Sequence, residues 1–122
     1  MVRIFALLLL APCCAIAQSA FPTAFPDGAT PMTAEALKQR ITGKVFTIIP
    51  AAGAQMRVQY QDTYAFVNSG SFSDSGKWRV EGSSVCIDWQ KIPGGCSEMR
   101  TVGDAIYTKR ASNGEVVIMQ PK

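Results

Sequence analysis

The chain has no histidine in its 122 residues. That absence removes the Ser-His-Asp and Cys-His arrangements of nucleophilic catalysis, and the imidazole ligands of most zinc sites. A strong charge of one sign is also missing. Twelve Lys+Arg stand against nine Asp+Glu, a net charge of +3, and the basic residues are scattered singly. Neither a nucleic-acid footprint nor a polybasic membrane patch follows from such a pattern. The glycines are spread over separate turns, so no loop is spaced to cradle a phosphate. No heptad or internal repeat is visible. These absences predict a protein with no cofactor, no metal, no nucleic-acid partner and no enzymatic activity.

Cysteine is scarce: four residues, two of them at the N-terminus. The start of the chain has the composition of a secretory signal. Arg3 supplies a positive end, Ile4 to Ala11 is apolar, and Ala15 and Ala17 place small residues where signal peptidase reads them. Residues 1–17 are predicted to be removed. Pro12 ends the apolar run well short of the roughly 20 residues a spanning helix needs, so no integral membrane segment is expected in the mature chain. Cys13 and Cys14 admit a lipoprotein alternative, but Pro12 or Cys13 would then precede the acylated cysteine in place of Gly, Ala or Ser. Loss of Arg3 leaves 11 basic and nine acidic residues, a net of +2. The expected location is periplasmic or secreted. Residues 18–32, with three prolines and no apolar period, read as an extended, poorly ordered leader.

What is present begins with one helix. Thr33 is a suitable N-cap, Glu35 sits in the first turn, Ala34, Leu37 and Ile41 form an apolar stripe, and Gly43 provides a left-handed stop. From Lys44 the period changes to two. Strands are predicted over 44–49, 56–61, 64–68, 77–81, 84–90, 96–102, 105–110 and 115–120, with Ser69 to Gly76 as a Ser/Gly/Asp loop. Eight short strands joined by tight turns can only pair antiparallel. Residues 33–122 are therefore one mainly β domain, a short helix followed by an up-and-down meander. It closes into a small barrel or remains a curled open sheet.

Residues 78–96 organise this meander. Trp78 and Val80 share one face; Val85, Ile87 and Trp89 share the face of the next strand. A Gly82-Ser83 turn would pair Glu81 with Ser84, Val80 with Val85 and Trp78 with Ile87, leaving Trp89 diagonal to Trp78. Cys86 then falls on the outer face. Cys86 and Cys96 are the only cysteines after the signal. Nine intervening residues make no redox Cys-x-x-Cys, so a structural disulfide is expected.

Together these residues compose a motif: Gly76-x-Trp78-x-x-x-Gly82-x-x-x-Cys86-x-x-Trp89, with Cys96 ten residues beyond Cys86. With Leu37, Gly43 and Tyr107 it resembles a family of small exported bacterial proteins of unknown function. The resemblance covers roughly residues 33–110 and implies compartment and fold, not an activity.

Two groups of side chains could carry chemistry. Glu81, Asp88, Glu98 and Asp104 lie on or beside neighbouring strands, but Glu81 and Asp88 fall opposite the apolar positions, as solvated charges do. Trp78, Trp89, Tyr60, Tyr64, Phe66 and Tyr107 could line a barrel mouth or simply fill the core. The expected role is an exported, non-enzymatic binding module of the cell envelope that engages an unknown protein partner. A carrier of a small apolar ligand is the alternative, favoured by a hollow interior of about 300 Å³ or more. A carboxylate-dependent hydrolase is the remote third. Oligomeric state is left open.

Overall fold

The computed structural model describes residues 20–122; the expected cleavage site, Cys13 and Cys14 lie outside them. In chain order the elements are β1 (Thr30–Pro31), α1 (Ala34–Ile41), β2 (Val45–Ile48), β3 (Met56–Tyr60), β4 (Tyr64–Ser69), β5 (Phe72–Glu81), β6 (Ser84–Trp89), β7 (Gly95–Val102), β8 (Ala105–Lys109) and β9 (Val116–Pro121). Each strand from β2 to β9 pairs antiparallel with its successor. β9 returns to β2 through Phe46↔Pro121 and Thr47↔Gln120. The choice the sequence left open is therefore settled: the eight-stranded meander is a closed barrel.

Helix α1 forms where the capping pattern places it. Thr33 Oγ1 accepts the Ala36 N–H at 3.2 Å, and Glu35 occupies the first turn. Gly43, at φ +76°, breaks the helix in the left-handed region that favours glycine. Its N–H donates to the Tyr60 carbonyl at 2.8 Å, so the chain passes from helix straight into the β2–β3 ladder. Leu37 and Ile41 are fully buried in one cluster with Phe46, Tyr60 and Trp78. At eight residues α1 has little stability of its own; this apolar stripe holds it. The Arg40 guanidinium donates to the Asp104 carbonyl at 2.7 Å in the β7–β8 turn. The helix thus lies across one end of the barrel and closes it.

The hairpin at Gly82-Ser83 has the expected register, with Glu81↔Ser84, Val80↔Val85 and Trp78↔Ile87. Cys86 and Cys96 face each other across β6 and β7 and are bonded, with an S–S distance of 2.05 Å. In the chain-entropy account, closing this loop contributes about 3 kcal/mol. Cys86 does lie on the outer side of the sheet, opposite Arg79, yet it is only 1% exposed. An outward position is not a solvated one when side chains and a disulfide cover it.

Two expectations need correction. Residues Phe72 to Gly76 are not loop: they form the first half of β5, a ten-residue strand. Ser and Asp favour turns locally, but pairing with β4 from Ser69↔Phe72 to Tyr64↔Lys77 overrides that preference. Nor is the described part of the leader, residues 20–32, loose. The Val116 N–H donates to the Pro22 carbonyl at 2.8 Å, and Thr30-Pro31 pair with Thr101 and Arg100. Between these ties the chain crosses the barrel wall, and Phe25 lies under the Arg100 guanidinium at 4.5 Å.

Candidate functional site

Strand register sorts the barrel into two ends. Where β3 finishes and β5, β7 and β9 also finish, α1 closes the interior. At the other end β2, β4, β6 and β8 finish, and no helix among the described residues covers it. There the strand connections form a mouth, and behind it lies a cavity of about 170 Å³. Its walls are mostly apolar, including Ile48, Met56, Ile87, Trp89, Met99 and Met119.

Tyr60, Ser97, Thr108, Arg110 and Ser112 are the polar side chains that interrupt the wall, and Thr108 is the one buried without a partner. It is 3% exposed, and its Oγ1 has no hydrogen-bond partner, the one such side-chain atom among the described residues. Buried hydroxyls are normally paired. Tyr60 also lines the cavity; burial holds its phenol far above the ordinary tyrosine range, so it stays protonated. Arg110 reaches the cavity from the β8–β9 turn and donates to Glu115 Oε1 at 3.1 Å. Glu115 is 3% exposed, and its other oxygen accepts the Ala51 N–H at 2.9 Å. The Arg110 charge is therefore compensated, and the carboxylate also ties the β2–β3 loop to the mouth.

A second buried carboxylate ties the opposite lip. Asp74, on β5, accepts the N–H groups of Lys91 and Ile92 at 2.9 and 3.1 Å, and that of Ser75 at 2.8 Å. Burial opposes the charged form, but these backbone donors outweigh it and hold the carboxyl below its usual range. Ile92 and Pro93, carried by this loop, line the cavity. Glycine permits the close approach. A Cβ on Gly76 would collide with the Asp88 carbonyl oxygen, and one on Gly95 would fall 2.8 Å from the Ala111 Cβ.

The expected aromatic cluster divides. Trp78 is core: it is 8% exposed, its Nε1 donates to the Gln61 carbonyl at 2.7 Å, and it meets Tyr60 edge to face. Trp89 is only partly buried and stands at the cavity, opposite Gly76. Tyr64 and Phe66 alternate with the buried Ala65 and Val67 and so lie outside. Tyr107 likewise lies between the buried Ile106 and Thr108, which removes it from the cavity wall. None of Thr108, Arg110, Glu115 and Asp74 stands out in the sequence. A buried hydroxyl or carboxylate is recognisable only by what surrounds it.

The four carboxylates considered for acid–base chemistry are on the surface framework. Arg79 donates to Glu81 at 2.9 Å and to Asp88 at 3.2 Å, while Arg100 holds Glu98 at 2.9 Å. Glu81 also approaches both cysteines, one ligand atom from each lying within 4.8 Å of the others. Both sulfurs are committed to the disulfide, and a metal would need them as thiolates. Elsewhere a hollow of about 830 Å³ lies beside α1, bordered by Arg40, Lys44 and Lys122. It is much larger, but it is a surface depression and contains no buried unpaired polar atom. The smaller cavity has the features of a built site. Among the described residues no helix is long and apolar enough to cross a membrane. No family model, curated protein or solved structure matches the chain.

Proposed function

We propose that the protein is an exported, non-enzymatic binding module of the bacterial envelope, periplasmic or secreted, and that it carries a small apolar molecule in the open end of its barrel. The one-ended cavity of about 170 Å³ carries this reading. At about 170 Å³ it does not reach the roughly 300 Å³ expected of a carrier, so the reading holds only for a small cargo. Sites for drug-sized ligands run from about 300 Å³ upward, so the guest is smaller than the expectation allowed. The absence of histidine and the engagement of Glu81, Asp88 and Glu98 by arginines support a non-enzymatic role. Family membership with the small exported proteins that share the Trp-Cys motif is part of the same proposal. A protein partner at the rim is a second reading, carried by Phe72 and Ile49, which are 40% and 57% exposed beside the open end.

The test compares the exported protein with Ala111→Phe, a substitution at an exposed position of the mouth chosen to block entry while sparing the core. Non-denaturing mass spectrometry and gas chromatography of solvent extracts should find a small organic molecule on the wild type and none on the variant. An identical extract from both proteins, with or without a guest, would defeat the carrier reading.

A further inference from the structure

We infer that the guest is an uncharged, single-ring-sized apolar molecule bearing one hydrogen-bonding group, a simple phenol being the type, and that Thr108 selects it. This rests on the open end being the binding site and adds the chemical class. Size comes first. An apolar cavity of about 150 Å³ stays dry and takes benzene; the present cavity is about 170 Å³. There is room for one ring and a small substituent, not for an acyl chain or a fused polycycle.

Charge comes second. Among the described residues Arg110 is the only ionisable group on the wall apart from the protonated Tyr60, and its guanidinium is matched by Glu115 at 3.1 Å. A carboxylate or ammonium guest would lose its hydration and find no free counter-ion, an unfavourable exchange. A neutral guest avoids that penalty.

The hydroxyl comes third. Thr108 Oγ1 is buried without a partner in a mostly apolar wall that also carries Ser112 and Ser97, whose Oγ accepts the Ala111 N–H at 3.3 Å. A buried hydroxyl left unpaired is a cost; with a guest carrying one hydroxyl or carbonyl, the threonine donates or accepts and the cost disappears. A site with a buried polar group discriminates in favour of the ligand that satisfies it. A purely hydrocarbon guest leaves Thr108 as it was.

Methyl NMR of the intact exported protein tests this, following Met56, Ile87, Met99 and Met119 during titration with toluene, phenol, benzoate and benzylammonium. Phenol and toluene should shift these methyl signals, with phenol the tighter. Thr108→Val should weaken phenol about fivefold, the worth of one hydrogen bond, and leave toluene unchanged. The two ions should have no effect at the same concentrations. If both neutral probes bind but Thr108→Val changes neither, or if benzoate binds best, the ligand class is wrong while the open end stands as a binding site. If none of the four moves the cavity methyls of the folded protein, the inference fails and the carrier reading fails with it.

Discussion

The two ends of this barrel are built from different forces. The closed end is held by apolar packing: Leu37 and Ile41 of α1 are buried among Phe46, Tyr60 and Trp78. The open end is held by buried carboxylates. Asp74 gathers the N–H groups of Lys91 and Ile92, and Glu115 gathers Arg110 and the Ala51 N–H. The difference follows from what each end contains. A plugged end can fill its space with side chains. An end that keeps a cavity has fewer apolar contacts to hold its loops, and directional hydrogen bonds take over. Those bonds order the rim without occupying the interior.

Substitutions at the two ends should separate these forces. The largest effect is expected at the closed end, where Trp78→Ala removes a buried ring and the indole hydrogen bond to Gln61. A loss of about 3–5 kcal/mol is expected in urea unfolding, a large part of the stability of a small domain. Trp89→Ala, at the half-buried mouth, should cost well under half of that. Equal losses from the two tryptophans would erase the distinction between a packed end and a hollow one.

At the open end, Glu115→Ala strands a partly buried guanidinium and an unpaired amide. Breaking a buried pair in this way costs about 3 kcal/mol or more. Since Glu115 holds the β2–β3 loop, hydrogen exchange at Ala51 should accelerate far more than at Leu37. A uniform change across the barrel would show that Glu115 is not specific to the mouth.

Thr108→Val goes the other way. Replacing an unpaired buried hydroxyl by a methyl of similar shape should stabilise the empty barrel by about 1 kcal/mol. Thermal unfolding of the ligand-free protein measures this, and a clear loss of stability would mean that the hydroxyl has a partner after all.

The mildest test is pH. The folded-state pKa of Asp74 is depressed below its unfolded value, so its contribution is present above the unfolded pKa of about 4 and is lost as pH falls through the folded value. Amides of Lys91 and Ile92 should lose protection in that acidic window, ahead of the closed end, and Asp74→Asn should abolish the step. Simultaneous loosening of both ends would assign the acid response to the whole barrel instead.

Much of the framework was legible in the residues themselves. Thr33, Glu35 and Gly43 mark the helix by local chemistry. Gly82, at φ +58°, sets the β5–β6 register, and the next loop sets the β6–β7 register that puts Cys86 opposite Cys96. The site was less legible. Tyr60 and Trp89 do line the cavity, but Tyr107 does not, because alternation along β8 faces Ile106 and Thr108 inward. The β5 boundary was missed because Ser73, Asp74 and Ser75 look like turn residues until a paired strand and three amides surround them.

The sequence by itself determined the helix, the order of the strands, the hairpin register and the two cysteines available to bond, since each depends on residues close in the chain or on a rare residue type. Only the tertiary structure decided that the meander closes, because closure rests on β9 reaching β2 across more than 70 residues of chain. It alone also decided which end is hollow and that Thr108 stands unpaired there. A hydroxyl has no chemistry of its own to announce burial, and its significance arises from the side chains that distant strands bring around it.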